Sequence, residues 1–300
     1  MTVRILLVLT LMAIIFGVVQ ARTATIGYTD LLKRPATRDF AKIAYGTDPD
    51  QFGELWLPAG PGPFPVVIII HGGCWLESLP GTELTAYIAA DLRAAGTAVW
   101  NLEYRRLSDQ NPVGYPDMFL DIANGVDYLR KIAPAHRLDL SNITAVGHSA
   151  GGHLALWAAG RDRLKKESPL YMPEPLKIQK VVTLGGINDL QAYKETNSSA
   201  CGPAVIDRLI DSGNRDNPYA DTSPAAMLPL GIDQAVVSGA LDPIVPAALG
   251  RDYAEKAKSA GDKVEAVAFE GAGHFELIDP QSQAWPKIRS IITEKSGRAE

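Results

Sequence analysis

The chain has 300 residues, 46% of them apolar and 21% charged, with a net charge of −5. That supplies a sizeable core and leaves neither a basic stripe for nucleic acid nor a polybasic patch for anionic lipid. There is no H-E-x-x-H and no clustered Cys/His spacing, so no metal and no other cofactor is expected.

The first element reads as a targeting segment rather than as part of the folded body. Arg4 precedes an apolar run from Ile5 to Val19, closed by Val19-Gln20-Ala21. A short positive region, an apolar stretch and small residues at the last and third-last positions predict a secretory signal cleaved after Ala21. The run is shorter than the roughly 20 residues of a spanning helix. No later segment is long and apolar enough to span, so no stable membrane insertion is expected after cleavage. The expected location is the periplasm or the exterior, where disulfides form. Only Cys74 and Cys201 are present, so one bridge is the maximum.

Beyond the signal, apolar β-branched runs alternate with helical stretches. Predicted strands are Val66–Ile70, Ala98–Leu102, Ile143–Val146, Val181–Leu184, Ala235–Val237 and Val264–Phe269. Most are apolar at every position, as parallel strands covered on both faces must be. Predicted helices span Glu83–Ala95, Met118–Ile132, Pro246–Ala260 and Trp285–Glu294. The alternation predicts an α/β fold with a mostly parallel, doubly wound sheet and helices on both faces. The polar, Pro-rich stretches at 161–178 and 191–229 read as excursions over the sheet, the second as a small lid. No linker marks a further domain, so residues 22–300 are expected to form one.

Gly147-His148-Ser149-Ala150-Gly151 matches G-x-S-x-G between a predicted strand and a helix-forming run. In that setting Ser149 is the expected nucleophile, held in strained geometry at a helix N-terminus. His71-Gly72-Gly73-Cys74-Trp75 follows another strand, and its glycines let backbone N–H groups turn toward a substrate oxygen. Gly73, Cys74 and Ala150 are the expected oxyanion donors. His71 is expected to hold the loop by hydrogen bonding rather than to catalyse.

The base should follow Ser149 in the chain, which leaves His153 and His274. His153 falls in the helix after the serine and is expected to pack. His274 lies in a Gly-rich loop after the last strand and is the expected base. Asp242, after the strand Ala235–Val237, is the expected acid, with Asp189 as the alternative. Trp75, Tyr104 and Phe275 neighbour these motifs, and each either lines a substrate pocket or packs in the core. Cys74 and Cys201 both could flank the site's mouth, as a bridge or as two unrelated thiols. A Cα separation under ~7 Å is what a bridge requires.

With these motifs the chain resembles the α/β-hydrolases, among them hormone-sensitive-lipase-like esterases and, more closely, bacterial esterases near feruloyl esterases and kynurenine formamidases. The resemblance runs from about Gly53 to Ile292 and includes Asn101-Leu102-Glu103-Tyr104-Arg105 and Gly273-His274. It implies a serine hydrolase acting on a small ester or aryl formamide. A serine exopeptidase of prolyl-oligopeptidase type is the alternative, although the ~50 residues between the signal and the first core strand are too few for a gating domain. Cys74 stands where the lipase-type loop carries its third glycine, which argues against the hormone-sensitive-lipase branch itself.

Overall fold

The computed structural model describes residues 25–111, 113–196 and 200–295. The expected signal, residues 1–21, lies outside the described residues. Eight strands form one mixed sheet: β1 (Ala41–Ala44), β2 (Phe52–Trp56), β3 (Phe64–Ile70), β4 (Ala98–Leu102), β5 (Leu138–His148), β6 (Lys180–Leu184), β7 (Asp233–Gly239) and β8 (Lys263–Phe269). Their spatial order is β1-β2-β4-β3-β5-β6-β7-β8. β3 through β8 pair in parallel, whereas β1 and β2 are antiparallel to their neighbours.

The period-two pleat explains how apolar strands hold helices on both faces. In β3, Val66, Ile68 and Ile70 enter one core cluster, while Val67 and Ile69 enter the other. The second cluster is covered by α1 (Tyr28–Leu32), α2 (Ala86–Ala94) and the C-terminal Trp285–Thr293 helix. The first is covered by α3 (Asp117–Asp127), α4 (Leu129–His136), α5 (Ala150–Ala159) and the Ala247–Ser259 helix. None of these helices is long and apolar enough to cross a membrane among the described residues.

Two features differ from the sequence reading. The stretch read as one helix, Met118–Ile132, is two, α3 and α4, divided at Tyr128. β1 and β2 had no apolar run to announce them. Glu54 sits buried in β2 because Asn101, Thr82 and Trp56 all donate hydrogen bonds to its carboxylate. Trp56 lies in β2 itself, but Thr82 and Asn101 come from distant segments, so no local pattern announces a buried carboxylate here.

The excursion at 191–229 carries two helices: α6 (Leu190–Glu195), which begins a residue before it, and α7 (Pro203–Ile210). Ile206, Leu209 and Ile210 of α7 join the first core cluster. Residues 197–199 of the excursion are outside the described residues.

Candidate active site

The parallel strands all end at one edge, and ligands of such sheets gather there. At that edge β5 runs into α5 through Ser149, whose backbone is left-handed at φ 55° and ψ −122°. Two close approaches explain the flanking glycines. A Cβ on Gly147 would strike the Gly151 carbonyl, and one on Gly151 would strike the Ile70 carbonyl at the end of β3. The turn thus closes only where side chains are missing, and Ser149 is presented at the start of α5. Its relative exposure is 3%.

The loop after β3 is equally constrained. Gly73, Cys74 and Trp75 are consecutive left-handed residues, with φ 98°, 51° and 59°. Non-glycine residues in this region store strain and persist only when their surroundings hold them. Three contacts hold the loop. His71 Nε2 lies 2.8 Å from Glu103 Oε1, and the Tyr104 hydroxyl donates to the His71 carbonyl at 3.1 Å. Thr82 N–H donates to the other Glu103 oxygen. Burial pushes the Glu103 carboxyl up, but His71, Arg106 and the Tyr104 N–H together outweigh it and leave it below its ordinary value. The N–H groups of Gly73, Cys74 and Ala150 make no hydrogen bond to another described residue. They remain donors without a protein acceptor, as a site for a developing oxyanion needs.

A further tie on this loop is covalent. Cys74 and Cys201 are bonded, with Cα atoms 5.2 Å apart and a sequence separation of 127. The bridge ties the loop to the chain just before α7. Removing it by Cys201→Ser is expected to cost about 2–5 kcal/mol, toward the upper end for so long a loop. Thermal unfolding with and without reductant checks this. A wild type whose Tm ignores complete reduction would contradict it.

Asp242, in the loop after β7, accepts from the N–H groups of Ile244 and Val245 through Oδ1, at 2.8 and 2.9 Å. Its Oδ2 lies 2.6 Å from His274 Nδ1. A carboxylate fixed by its own turn thus orients the imidazole, which is 3% exposed. The alternative acid is engaged elsewhere. Asp189 caps α6 through the Ala192 N–H and pairs with Lys256 at 2.6 Å. The loop bearing His274 is itself braced. Glu276 accepts from the Gly273 N–H and, through its other oxygen, from Ile26 N–H.

The expected pocket residues divide. Phe275 is partly exposed and edges against the His274 ring at 5.1 Å. Trp75 and Tyr104 are both 0% exposed, which corrects their reading as pocket lining. Trp75 packs edge-on against His153, and Tyr104 stacks on His71 at 4.6 Å. Both indeed belong to the layer that supports the oxyanion loop. A groove of about 940 Å³ opens far from these groups, lined by Asp139, Ser141, Gln179 and Ile232 at the opposite strand ends. Its size does not make it the site, because Ser149, Asp242 and His274 are not among its lining residues.

His153 packs as expected, with Nε2 2.7 Å from the Thr222 carbonyl. Burial pushes its imidazole down to about 4 from 6.5, against the pull of that carbonyl. The unfolded chain therefore binds more protons between those two pH values, and stability falls as pH drops through this window. The loss is on the order of 3 kcal/mol by pH 4 for this ring alone. Urea midpoints at pH 7 and 4.5 should show the slope in wild type and a shallower one in His153→Leu. An unchanged slope in the variant would contradict the assignment.

Residues 54–256 match the model of the BD-FAE family. The chain is 23% identical to a probable isoprenylcysteine α-carbonyl methylesterase of Oryza sativa subsp. japonica, covering 84% of this chain and 61% of that protein. It is 25% identical to the kynurenine formamidase of Danio rerio, over 82% of this chain and 78% of the other. Among solved structures, Esterase B of Lactobacillus rhamnosis superposes with a TM-score of 0.72 at 18% identity, covering 88% and 87% of the two chains. The chain spans about three fifths of the methylesterases it matches. The architecture is the α/β-hydrolase fold, and the match over more than half of its length places the chain in the BD-FAE family.

Proposed function

We propose that the protein is an exported serine esterase that cleaves small carboxylic esters, or aryl formamides, through an acyl-enzyme on Ser149. The observation that carries this reading is the meeting of three groups at one sheet edge. These are a strained Ser149, N–H donors without protein acceptors, and a His274 ring held by Asp242. His274 Nδ1 is committed to Asp242, so Nε2 is the nitrogen that takes the Ser149 proton and returns it to the leaving group. Attack on the carbonyl carbon moves charge to its oxygen, where Gly73, Cys74 and Ala150 donate; one such donor is worth roughly 3 kcal/mol. Water then attacks the acyl-enzyme with the same base.

The names of the relatives, a methylesterase and a formamidase, support acyl transfer to water with either an oxygen or a nitrogen leaving group. Export is supported by the Cys74–Cys201 bridge, which an oxidising compartment favours. Residues 22–300 would act as one catalytic domain, with the 191–229 excursion as its lid.

The test is a panel of p-nitrophenyl esters, feruloyl esters, acetylated sugars and N-formylkynurenine, run beside labelling by a fluorophosphonate. Hydrolysis with the label mapped to Ser149 is expected. A protein that hydrolyses none of them and takes no label at Ser149 would overturn the reading.

A further inference from the structure

We propose that His148, the residue before the serine, is a positioning residue that registers the base loop against the nucleophile. The inference rests on the esterase reading above for its consequence, but on geometry for its content. His148 is 1% exposed, and its side chain lies against both the base loop and the oxyanion loop. Its Nε2 lies 3.2 Å from the carbonyl oxygen of His274. A carbonyl only accepts, so Nε2 carries the proton and donates. The His148 ring also contacts the His274 ring, with centroids 4.5 Å apart, and the Phe275 ring at 5.7 Å. On the other side it abuts the oxyanion loop. A Cβ on Gly72 would come within 3.0 Å of His148 Nδ1 and 2.9 Å of the Ser149 Cβ. One side chain is therefore wedged between the loop after β3 and the loop after β8.

The backbone makes this placement consequential. Ser149 directly follows His148, so the position of the nucleophile and the anchor of the base are set by adjacent residues. The hydrogen bond is to the main chain of His274, while Asp242 holds its ring. The two contacts fix different degrees of freedom: the carboxylate sets ring rotation, and His148 sets where the ring's backbone stands relative to Ser149.

The donor also stays a donor through turnover. Burial, and then the neighbouring His274, hold the His148 imidazole well below its ordinary value. When His274 takes up a proton, the ring beside it remains neutral. The remaining Nδ1 is buried without a hydrogen-bond partner among the described residues. An orphaned lone pair is an unfavourable feature in a packed interior. It is the consequence of spending the single ring proton on the His274 carbonyl.

The test compares His148→Gln, which keeps a donor near the Nε2 position, with His148→Leu, which keeps bulk and loses the donor. Misplacement of a reacting group by about 1 Å costs up to 10²-fold. His148→Leu is thus expected to lower kcat about 10- to 100-fold with KM nearly unchanged, and His148→Gln to recover most of it. The proton NMR resonance of the His274–Asp242 hydrogen bond is expected to shift or broaden in the Leu variant and to return in the Gln variant. If His148→Leu does not fold, His148→Asn, whose donor is too short to reach, replaces it in the same comparison. Equal kcat in the donor-bearing and donor-lacking variants, whether high or low, would overturn the inference. The resonance is read without substrate. A wild type inactive on every ester but showing the resonance pattern would sink the esterase reading and leave the positioning role standing.

Discussion

Ser149→Ala is expected to reduce hydrolysis of any good substrate by at least about 10³-fold, because nucleophile and base act as a unit and neither works alone. The fold should survive. Ser149 is small, and the hydrogen bonds of its segment run through the backbone, from Ser149 N–H to the Leu184 carbonyl and from Ile187 N–H to the Ser149 carbonyl. The glycines that permit the turn are untouched. Some rate above water should persist, since the N–H donors of Gly73, Cys74 and Ala150 remain. Initial rates with saturating p-nitrophenyl ester, together with an unchanged far-UV spectrum and Tm, check both halves. Full turnover in the variant would remove Ser149 from the chemistry.

Asp242→Asn is expected to lower kcat by about 10⁴-fold, because an amide in place of the carboxylate favours the wrong imidazole tautomer. In the wild type, Asp242 Oδ2 accepts the Nδ1 proton, which leaves Nε2 as a base. An Asn side chain can turn its NH₂ toward Nδ1. The ring proton then moves to Nε2, where it blocks proton uptake from Ser149. Oδ1 already accepts two backbone N–H groups, so the variant's carbonyl oxygen is retained there and the NH₂ is forced toward His274. Asp189→Asn serves as the control. Its partners are the α6 N-terminus and Lys256, so kcat should change less than about twofold, with at most a modest loss of stability from a weakened cap and ion pair. Parallel measurement of kcat and Tm in the two variants decides between the acids. A larger kcat loss at Asp189 would reassign the role to the loop after β6.

Much of this site was legible locally because its chemistry depends on local geometry. Only glycines tolerate the close approaches at 147 and 151, so the turn leaves its mark in the chain as G-x-S-x-G. Apolar runs such as Val66–Ile70 mark strands covered on both faces, and the order of strands and helices predicts the layers. What sequence left open was which side chains meet across the fold. Asp242 and Asp189 both follow strands, and only the turn at Ile244–Val245 aims one of them at His274.

Three further outcomes belonged to tertiary structure alone. Trp75 and Tyr104 looked like pocket lining because they adjoin motifs, but the left-handed loop turns Trp75 into the core, and Tyr104 stacks under His71. The Cys74–Cys201 bridge required two segments 127 residues apart to bring their Cα atoms to 5.2 Å. β2 was invisible because its buried Glu54 is stabilised by donors from elsewhere in the chain. The residue types that can do the chemistry are written along the sequence, since steric and charge requirements act at each position. Which of them touch is decided by packing between distant segments, where no local signal exists.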